Sequence, residues 1–467
     1  MLGLLLFLLS FLSASGKGYD IRVELKNAPS DTLLLGYYYA ERQYVRDTAI
    51  GKNGLFHFQG DSALAPGIYI LVMPPKYDFI QLFINEDEQQ LEVQADALNT
   101  ISSIKVKGSE DNTLFYDYLR FLELKRPQAQ GLQEKLKAEK EAGRATDALQ
   151  QQLDKINQEV KSRQVELTQK YPGTITAMLI RATFDVEVPE MTGTPEEVEQ
   201  KKYLWYKSHY FDHLALSDSR LLRSPLIHDR INYFVEKLTL QHPDSVKSSL
   251  DEILRRVRPA EETFKYYLIH FVNHYAASKI VGFDGIYVHL VDEYYAKGFA
   301  PWVGEEQLTK MKQNAAALRP ILLGKTAPEI KLIRHPEGKP VSLHGIRSPY
   351  TILFIWDPEC SHCKASLPHV IDFYNKYKDK GVEILAVCSQ FGDKVPACWK
   401  YLEEQKMNPG WINAADPQHT SRFKILYDVK TTPQIFILDA DKKILSKNIG
   451  AEQLPEVMDH ILAVPKP

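Results

Sequence analysis

Hydrophobic and polar residues follow three different patterns along the chain. From residue 19 to about residue 107, apolar positions alternate with polar ones, most clearly at 19–25 and 55–59. Clusters of turn residues separate these short runs, for example the prolines at 74 and 75. Alternation with period two indicates strands that have one buried face, and several short strands at this spacing predict an antiparallel β-sandwich over 19–108.

From residue 109 to 322 the pattern is helical. The stretch 128–170 is rich in Gln, Glu, Lys and Ala, and its leucines recur at near-heptad spacing. The sequence Ala142-Gly143-Arg144 interrupts it, which predicts two antiparallel helices joined by a tight turn. A disordered linker is the alternative, but the apolar positions recur too regularly for one. The remaining periodic segments predict an all-α domain over 109–322.

Strand and helix signals alternate in residues 323–467. An apolar run at 351–356 is followed by helical periodicity from about residue 361, and the same alternation continues to a last helix near 452–463. Alternating units of this kind predict a layered α/β domain.

Composition, charge and cysteine content narrow the class of protein further. The 467 residues are 44% hydrophobic and 25% charged, which is typical of a globular protein. A formal net charge of −3 gives no basic field for binding nucleic acid. The four cysteines are too few for a disulfide scaffold, and all of them lie in the last quarter of the chain.

The N-terminus has the pattern of an export signal. Residues 2–12 are an apolar run of the length of a signal-peptide core, and the small residues 13–16 follow, although no basic residue precedes the run. We therefore predict that residues 1–16 are a signal peptide and that the protein is in the periplasm or cell envelope. No later run is long enough to predict a membrane span once the signal is removed.

The candidate chemistry lies in Cys360-Ser361-His362-Cys363, at the junction of a predicted strand and a predicted helix. Unpaired N–H groups at a helix N-terminus stabilise a thiolate, so Cys360 is the predicted nucleophile. The second sulfur lies one turn inside the helix, where Cys363 can break the mixed disulfide.

A proline at the start of a predicted strand forms the second part of the site. Pro433 follows Thr432 directly before the apolar run 435–438, and proline cannot donate a hydrogen bond within a sheet. We predict a cis Thr432–Pro433 bond that leaves the Thr432 backbone free to pair with an extended substrate beside Cys360.

These residues resemble those of the thioredoxin superfamily, and more closely its exported TlpA/ResA-like branch. The resemblance covers about 324–463 and includes Trp356, the cysteine pair, Pro368, Thr432-Pro433 and Gly450. It implies a thioredoxin-like fold and a thiol–disulfide oxidoreductase that acts on protein or peptide disulfides. It also implies an upstream membrane thiol electron donor, and no metal or cofactor beyond the Cys360–Cys363 redox pair. Substrate contacts are expected at Thr432, Pro433 and Trp356. The domains ahead of residue 323 resemble uncharacterised domains of bacterial envelope proteins.

Three departures from the family pattern affect the chemistry. Glu359 replaces the usual tryptophan before the first cysteine, and Phe354 occupies the position of a buried acid in many thioredoxins. Proton transfer at Cys363 would then use Glu359 or water, although a solvated Glu359 is the favoured interpretation. His362 precedes the second cysteine, as in oxidising members, where an imidazolium stabilises the thiolate. The resemblance to the branch therefore implies a reductase, whereas Ser361-His362 and Thr432 favour an isomerase or an oxidant, and the direction of electron flow stays open.

The other two cysteines allow more than one interpretation. A four-thiolate zinc site is disfavoured because Cys388 and Cys398 form no second CxxC. Two separate buried thiols are favoured over a Cys388–Cys398 disulfide. The alternative function is an envelope binding or assembly protein whose N-terminal domains bind a partner, with the thioredoxin-like module as an accessory or redox sensor.

Overall fold

The computed structural model describes residues 18–404 and 410–463, so the predicted signal peptide lies outside the described residues. The described chain folds into two compact units. The first comprises residues up to Leu240 together with Asp251–Phe264, and the second comprises Gln241–Leu250 and the residues from Lys265 onward.

The first unit begins with a β-sandwich, as predicted. Its two sheets have the strand orders β4-β1-β7-β8 and β3-β2-β5-β6. Alternate residues of β1, including Ile21 and Val23, are buried, which is the period-two pattern of the sequence. β1 and β7 are parallel, so the sandwich contains one pairing that is not antiparallel, and β3 was not predicted. The strands are β1 Tyr19–Lys26, β2 Thr32–Tyr39, β3 Arg42–Ile50, β4 Leu55–Gly60, β5 Gly67–Met73, β6 Asp78–Ile84, β7 Gln90–Asp96 and β8 Lys105–Lys107.

Helices follow the sandwich. The predicted turn at 142–144 separates the two longest, and the first of these begins at Glu110, where the Ser109 side chain accepts a hydrogen bond from the Asn112 N–H. The helices are α1 Thr100–Ser103, α2 Glu110–Glu141, α3 Asp147–Lys170, α4 Ile175–Arg181, α5 Pro195–His209, α6 Leu226–Glu236, α7 Pro243–Val257, α8 Glu261–Ala277, α9 Asp284–Leu290 and α10 Glu305–Leu318. Within the described residues, none is long and apolar enough to cross a membrane.

The second unit contains α9, α10 and a seven-stranded sheet in the order β10-β9-β13-β12-β11-β14-β15. The sheet and its helices form the predicted thioredoxin-like α/β fold. Its elements are β9 Lys331–His335, β10 Pro340–Ser342, β11 Tyr350–Trp356, α11 Ser361–Tyr377, β12 Val382–Cys388, α12 Pro396–Glu404, β13 Ile412–Ala415, α13 Phe423–Leu426, β14 Gln434–Asp439, β15 Ile444–Lys447 and α14 Leu454–Ala463.

The central strand β11 is buried along its whole length. It is parallel to β12 and antiparallel to β14. Ile352 and Phe354 belong to the hydrophobic core on one face of the sheet, and Leu353 and Ile355 belong to the core on the other. A strand buried on both faces needs a continuous apolar run, as the sequence has here. The turn that follows β11 therefore begins at a rigidly held residue.

Candidate functional site

Cys360 lies at the N-terminus of α11. β11 ends at Trp356, three residues form a turn, and Cys360 is the N-cap residue with extended backbone angles, φ −82° and ψ 120°. The cap position directs the side chain towards the free N–H groups of the first helical turn. Cys360 is partly exposed, whereas Cys363 is 0% exposed, and neither cysteine is part of a disulfide. Only Cys360 is therefore open to attack on a substrate.

The surroundings of Cys360 favour its thiolate. Burial by itself would raise the pKa of this thiol, but hydrogen bonds from the backbone and thiol of Cys363, from the Thr432 side chain and from the His362 backbone outweigh burial and lower the pKa. The effect is the one expected at a helix N-terminus. Cys360 therefore has the character of the attacking nucleophile.

Cys363 has the opposite character. Burial raises its pKa to about 12, and the hydrogen bonds that favour its thiolate do not compensate. One of these comes from the Asp357 backbone N–H, which lies 3.4 Å from the Cys363 sulfur. The two cysteines thus differ in exposure and in acidity, as a nucleophile and a resolving thiol should.

Thr432 and Pro433 lie beside Cys360. The Thr432–Pro433 peptide bond is cis, which confirms that prediction. The Cys360 thiol donates a hydrogen bond to the Thr432 carbonyl oxygen at 3.2 Å. Both residues are only half-buried, so a substrate can reach this edge.

The remaining predicted site residues are His362, Glu359 and Trp356. His362 and Glu359 are exposed, and His362 acts on the Cys360 pKa through its backbone N–H. Trp356 is 0% exposed and lies in the core, with its ring centre 6.0 Å from that of Tyr401. The expectation that Trp356 contacts substrate is therefore wrong, because the last residue of β11 points into the sheet's hydrophobic layer.

Sequence reasoning missed Asp357. Its carboxylate accepts hydrogen bonds from the Ser389 hydroxyl at 2.6 Å, from the Gln390 amide at 2.7 Å and from the Glu359 N–H at 2.9 Å. Burial would raise the pKa of Asp357, but these bonds outweigh it and lower the pKa. The Asp357 carboxylate is therefore held in place by three hydrogen bonds, while the backbone N–H of the same residue contacts the Cys363 sulfur.

The sequence contained a pattern from which the contact between Asp357 and Ser389 could have been predicted. Trp356 and Cys388 are register partners on the parallel strands β11 and β12. The next residues, Asp357 and Ser389, therefore emerge side by side at the carboxyl edge of the sheet, where functional groups of α/β folds are usually found. Aligning the two predicted strands by their apolar runs would have brought them together.

Cys388 and Cys398 are joined by a disulfide, which overturns the expectation of two separate thiols. Both cysteines are 0% exposed. The segment after β12 turns back so that α12 packs against the end of the strand, and the two Cα atoms lie 6.3 Å apart. Because two of the four sulfurs are bonded to each other, a four-thiolate zinc site is excluded. Among the described residues no group of three or more His, Cys, Asp or Glu side chains is arranged to hold a metal ion.

Comparisons with known families agree with this geometry. Residues 323–447 match the AhpC/TSA family. Residues 19–115 and 143–320 each match a domain of unknown function, DUF4369 and DUF5106.

Curated relatives and a solved structure each resemble about 30% of the chain. The thiol-disulfide oxidoreductase ResA of Bacillus cereus is 30% identical over 142 residues, which are 30% of this chain and 76% of the relative. ResA of Bacillus anthracis is 29% identical over 143 residues, with the same coverage. A crystal structure of the thioredoxin domain of a thiol-disulfide oxidoreductase from Bacteroides vulgatus is 26% identical, with a TM-score of 0.27, and covers 30% of this chain and 96% of that domain. The chain therefore belongs to the ResA-like thiol-disulfide oxidoreductases, and its C-terminal domain is the thioredoxin-like one.

Proposed function

We propose that this protein is exported to the cell envelope, where it reduces or isomerises disulfides in proteins or peptides through Cys360 and Cys363. The observation that carries the proposal is the contrast between the two thiols. Cys360 is accessible and its pKa is lowered, whereas Cys363 is buried and its pKa is raised. Such a contrast serves a two-step exchange, because the first thiol must attack and the second must wait.

In the first step the Cys360 thiolate attacks one sulfur of the substrate disulfide. A bond forms between Cys360 and that sulfur, the substrate S–S bond breaks, and the other substrate sulfur leaves as a thiolate that takes up a proton. The Thr432 backbone, 3.2 Å from the Cys360 sulfur through its carbonyl oxygen, is placed to pair with the extended substrate chain.

In the second step Cys363 attacks the Cys360 sulfur. The Cys360–Cys363 disulfide forms, the mixed disulfide breaks, and the proton of Cys363 passes to the departing substrate sulfur. The Asp357 N–H, 3.4 Å from the Cys363 sulfur, stabilises the negative charge that develops there. Two electrons and two protons have then moved to the substrate, and a thiol donor, in our proposal a membrane thiol protein, restores the dithiol.

Two features support export. The apolar run at 2–12 has the length of a signal-peptide core. The Cys388–Cys398 disulfide is completely buried, and structural disulfides of this kind form and persist mainly in oxidising compartments.

Two matched variants test the proposed reaction. Cys360→Ser should abolish insulin reduction in the presence of dithiothreitol, whereas Cys363→Ser should accumulate mixed disulfides that non-reducing gels resolve. Ser361→Ala, which changes an exposed neighbour in the same turn, serves as the control and should keep its activity. Wild-type protein without activity in both reductase and isomerase assays would refute the proposed function.

A further inference from the structure

A cleft of about 670 Å³ opens next to Pro433. One wall is formed by the segment 275–287, at the end of α8 and the start of α9, and the opposite wall by 430–434 and 447–450 around the ends of β14 and β15. Both walls belong to the second compact unit. The volume is in the range of sites that take a ligand of several side chains.

The lining of the cleft includes both sequence neighbours of Thr432, the residue that contacts Cys360. Thr431 and Pro433 line it, and Thr432 lies between them, with its carbonyl oxygen 3.2 Å from the Cys360 sulfur. A chain bound beside Cys360 would therefore enter this cleft within a few residues of its own cysteine.

The cleft also contains an unused hydrogen-bond acceptor. Gln434 Oε1 is buried and has no hydrogen-bond partner among the described residues, although the Gln434 amide donates to the Tyr427 carbonyl and to Asn448, both at 3.2 Å. A buried acceptor without a partner costs free energy, and a backbone N–H from a bound chain would satisfy it once the Gln434 side chain turns towards the cleft. This observation is independent of the volume of the cleft and points to a ligand that has N–H donors.

The wall from the helical segment includes an exposed large apolar side chain and a cation. Ile280 is 58% exposed at the cleft. The two acidic residues in the lining already have partners, since Asp284 pairs with Lys447 and Asp428 with Lys430. Lys279 has no such partner among the described residues and leaves one positive charge at the cleft.

We propose that this cleft binds the extended polypeptide next to the substrate's reactive cysteine, and that Lys279 and Ile280 make the helical segment a specificity wall of the oxidoreductase. The inference rests on the proposed function and adds to it the class of substrate. The preferred substrates are disulfide-bonded proteins in which the chain near the cysteine has an apolar residue and is neutral or acidic. Ile280 would pack against the apolar residue, and Lys279 would repel a basic chain.

The first test compares a large and a small disulfide. We expect Ile280→Asp to lower the ratio of kcat/KM for insulin to kcat/KM for 5,5′-dithiobis(2-nitrobenzoate) about tenfold, since the small disulfide does not extend into the cleft. Ile425→Asp is the matched control, because Ile425 is 64% exposed and does not line the cleft. Its ratio should equal that of the wild type.

The second test uses two synthetic peptides with the same disulfide loop, one flanked by glutamates and the other by lysines. The wild-type protein should favour the acidic peptide, and Lys279→Glu should reverse the preference. An unchanged ratio for Ile280→Asp together with an unchanged preference for Lys279→Glu would overturn the cleft assignment while the exchange reaction stands. Wild-type protein inactive towards both insulin and the small disulfide would instead refute the proposed function.

Discussion

The difference between the two active-site thiols leads to a quantitative prediction for alkylation. Burial raises the pKa of Cys363 to about 12 from the ordinary value of 9.0. At pH 8 about one Cys363 in 10,000 is then ionised, compared with about one in ten for an ordinary thiol, a difference of about a thousandfold. Each Cys363 thiolate is in turn about 16 to 30 times more nucleophilic than an ordinary thiolate, because the nucleophilicity of a thiolate rises with the pKa of its thiol. The net result is alkylation that is about thirty to sixty times slower, before any steric protection.

The measurement uses Cys360→Ser, in which Cys363 is the remaining free thiol. Cys360 contributes only smaller increases to the Cys363 pKa, and these disappear in the variant, whereas burial, the largest cause, stays. Iodoacetamide modification is followed by mass spectrometry at pH 8 in the folded protein and in urea, where the same thiol has its ordinary pKa. In the Cys363→Ser variant, Cys360 should react faster folded than unfolded at pH 7, since the hydrogen bonds from the backbone of residue 363, from the Thr432 side chain and from the His362 backbone remain to lower its pKa. Equal folded and unfolded rates for Cys363 would refute the reasoning.

Three further predictions concern groups around the site. Asp357→Asn removes the carboxylate that the Ser389 and Gln390 side chains hold, so the mixed disulfide should persist about tenfold longer in quench-flow experiments, and an unchanged lifetime would contradict the role of this turn. Replacing both Cys388 and Cys398 by alanine should lower the free energy of unfolding by about 2 to 3 kcal/mol in urea titrations, given a sequence separation of 10. Asp284→Asn should destabilise the protein by about 3 to 5 kcal/mol, because it leaves the Lys447 ammonium buried without its carboxylate. Lys447→Met should lower the free energy of unfolding clearly less than Asp284→Asn does, since the Asp284 side chain that it leaves unpaired is 23% exposed and can be hydrated.

Much of the fold could be predicted because its signals are local. The alternation in β1 and the turn at 142–144 each depend on residues that are close in sequence. β3 was missed because most of its residues are exposed, so it lacks the apolar alternation of its neighbours. The first helix of the pair predicted over 128–170 is part of a longer one, since α2 begins at Glu110 and continues through Pro127 to Glu141.

The sequence by itself determined the arrangement of Cys360 and Cys363. Two residues between Cys360 and Cys363 at the start of a helix place one sulfur at the helix N-terminus and the other one turn inside, whatever the rest of the chain does. The proline before β14 was recognisable for a similar local reason, since proline is restricted to special positions in a sheet.

Only the tertiary structure decided which distant groups surround that pair. The register of β11 against β12 brings Asp357 to Ser389, and the return of the chain after β12 joins Cys388 to Cys398. Lys447 meets Asp284 across 163 positions of sequence. Such contacts depend on how strands align and how layers pack, and one residue of slip would replace every partner, so no local pattern specifies them.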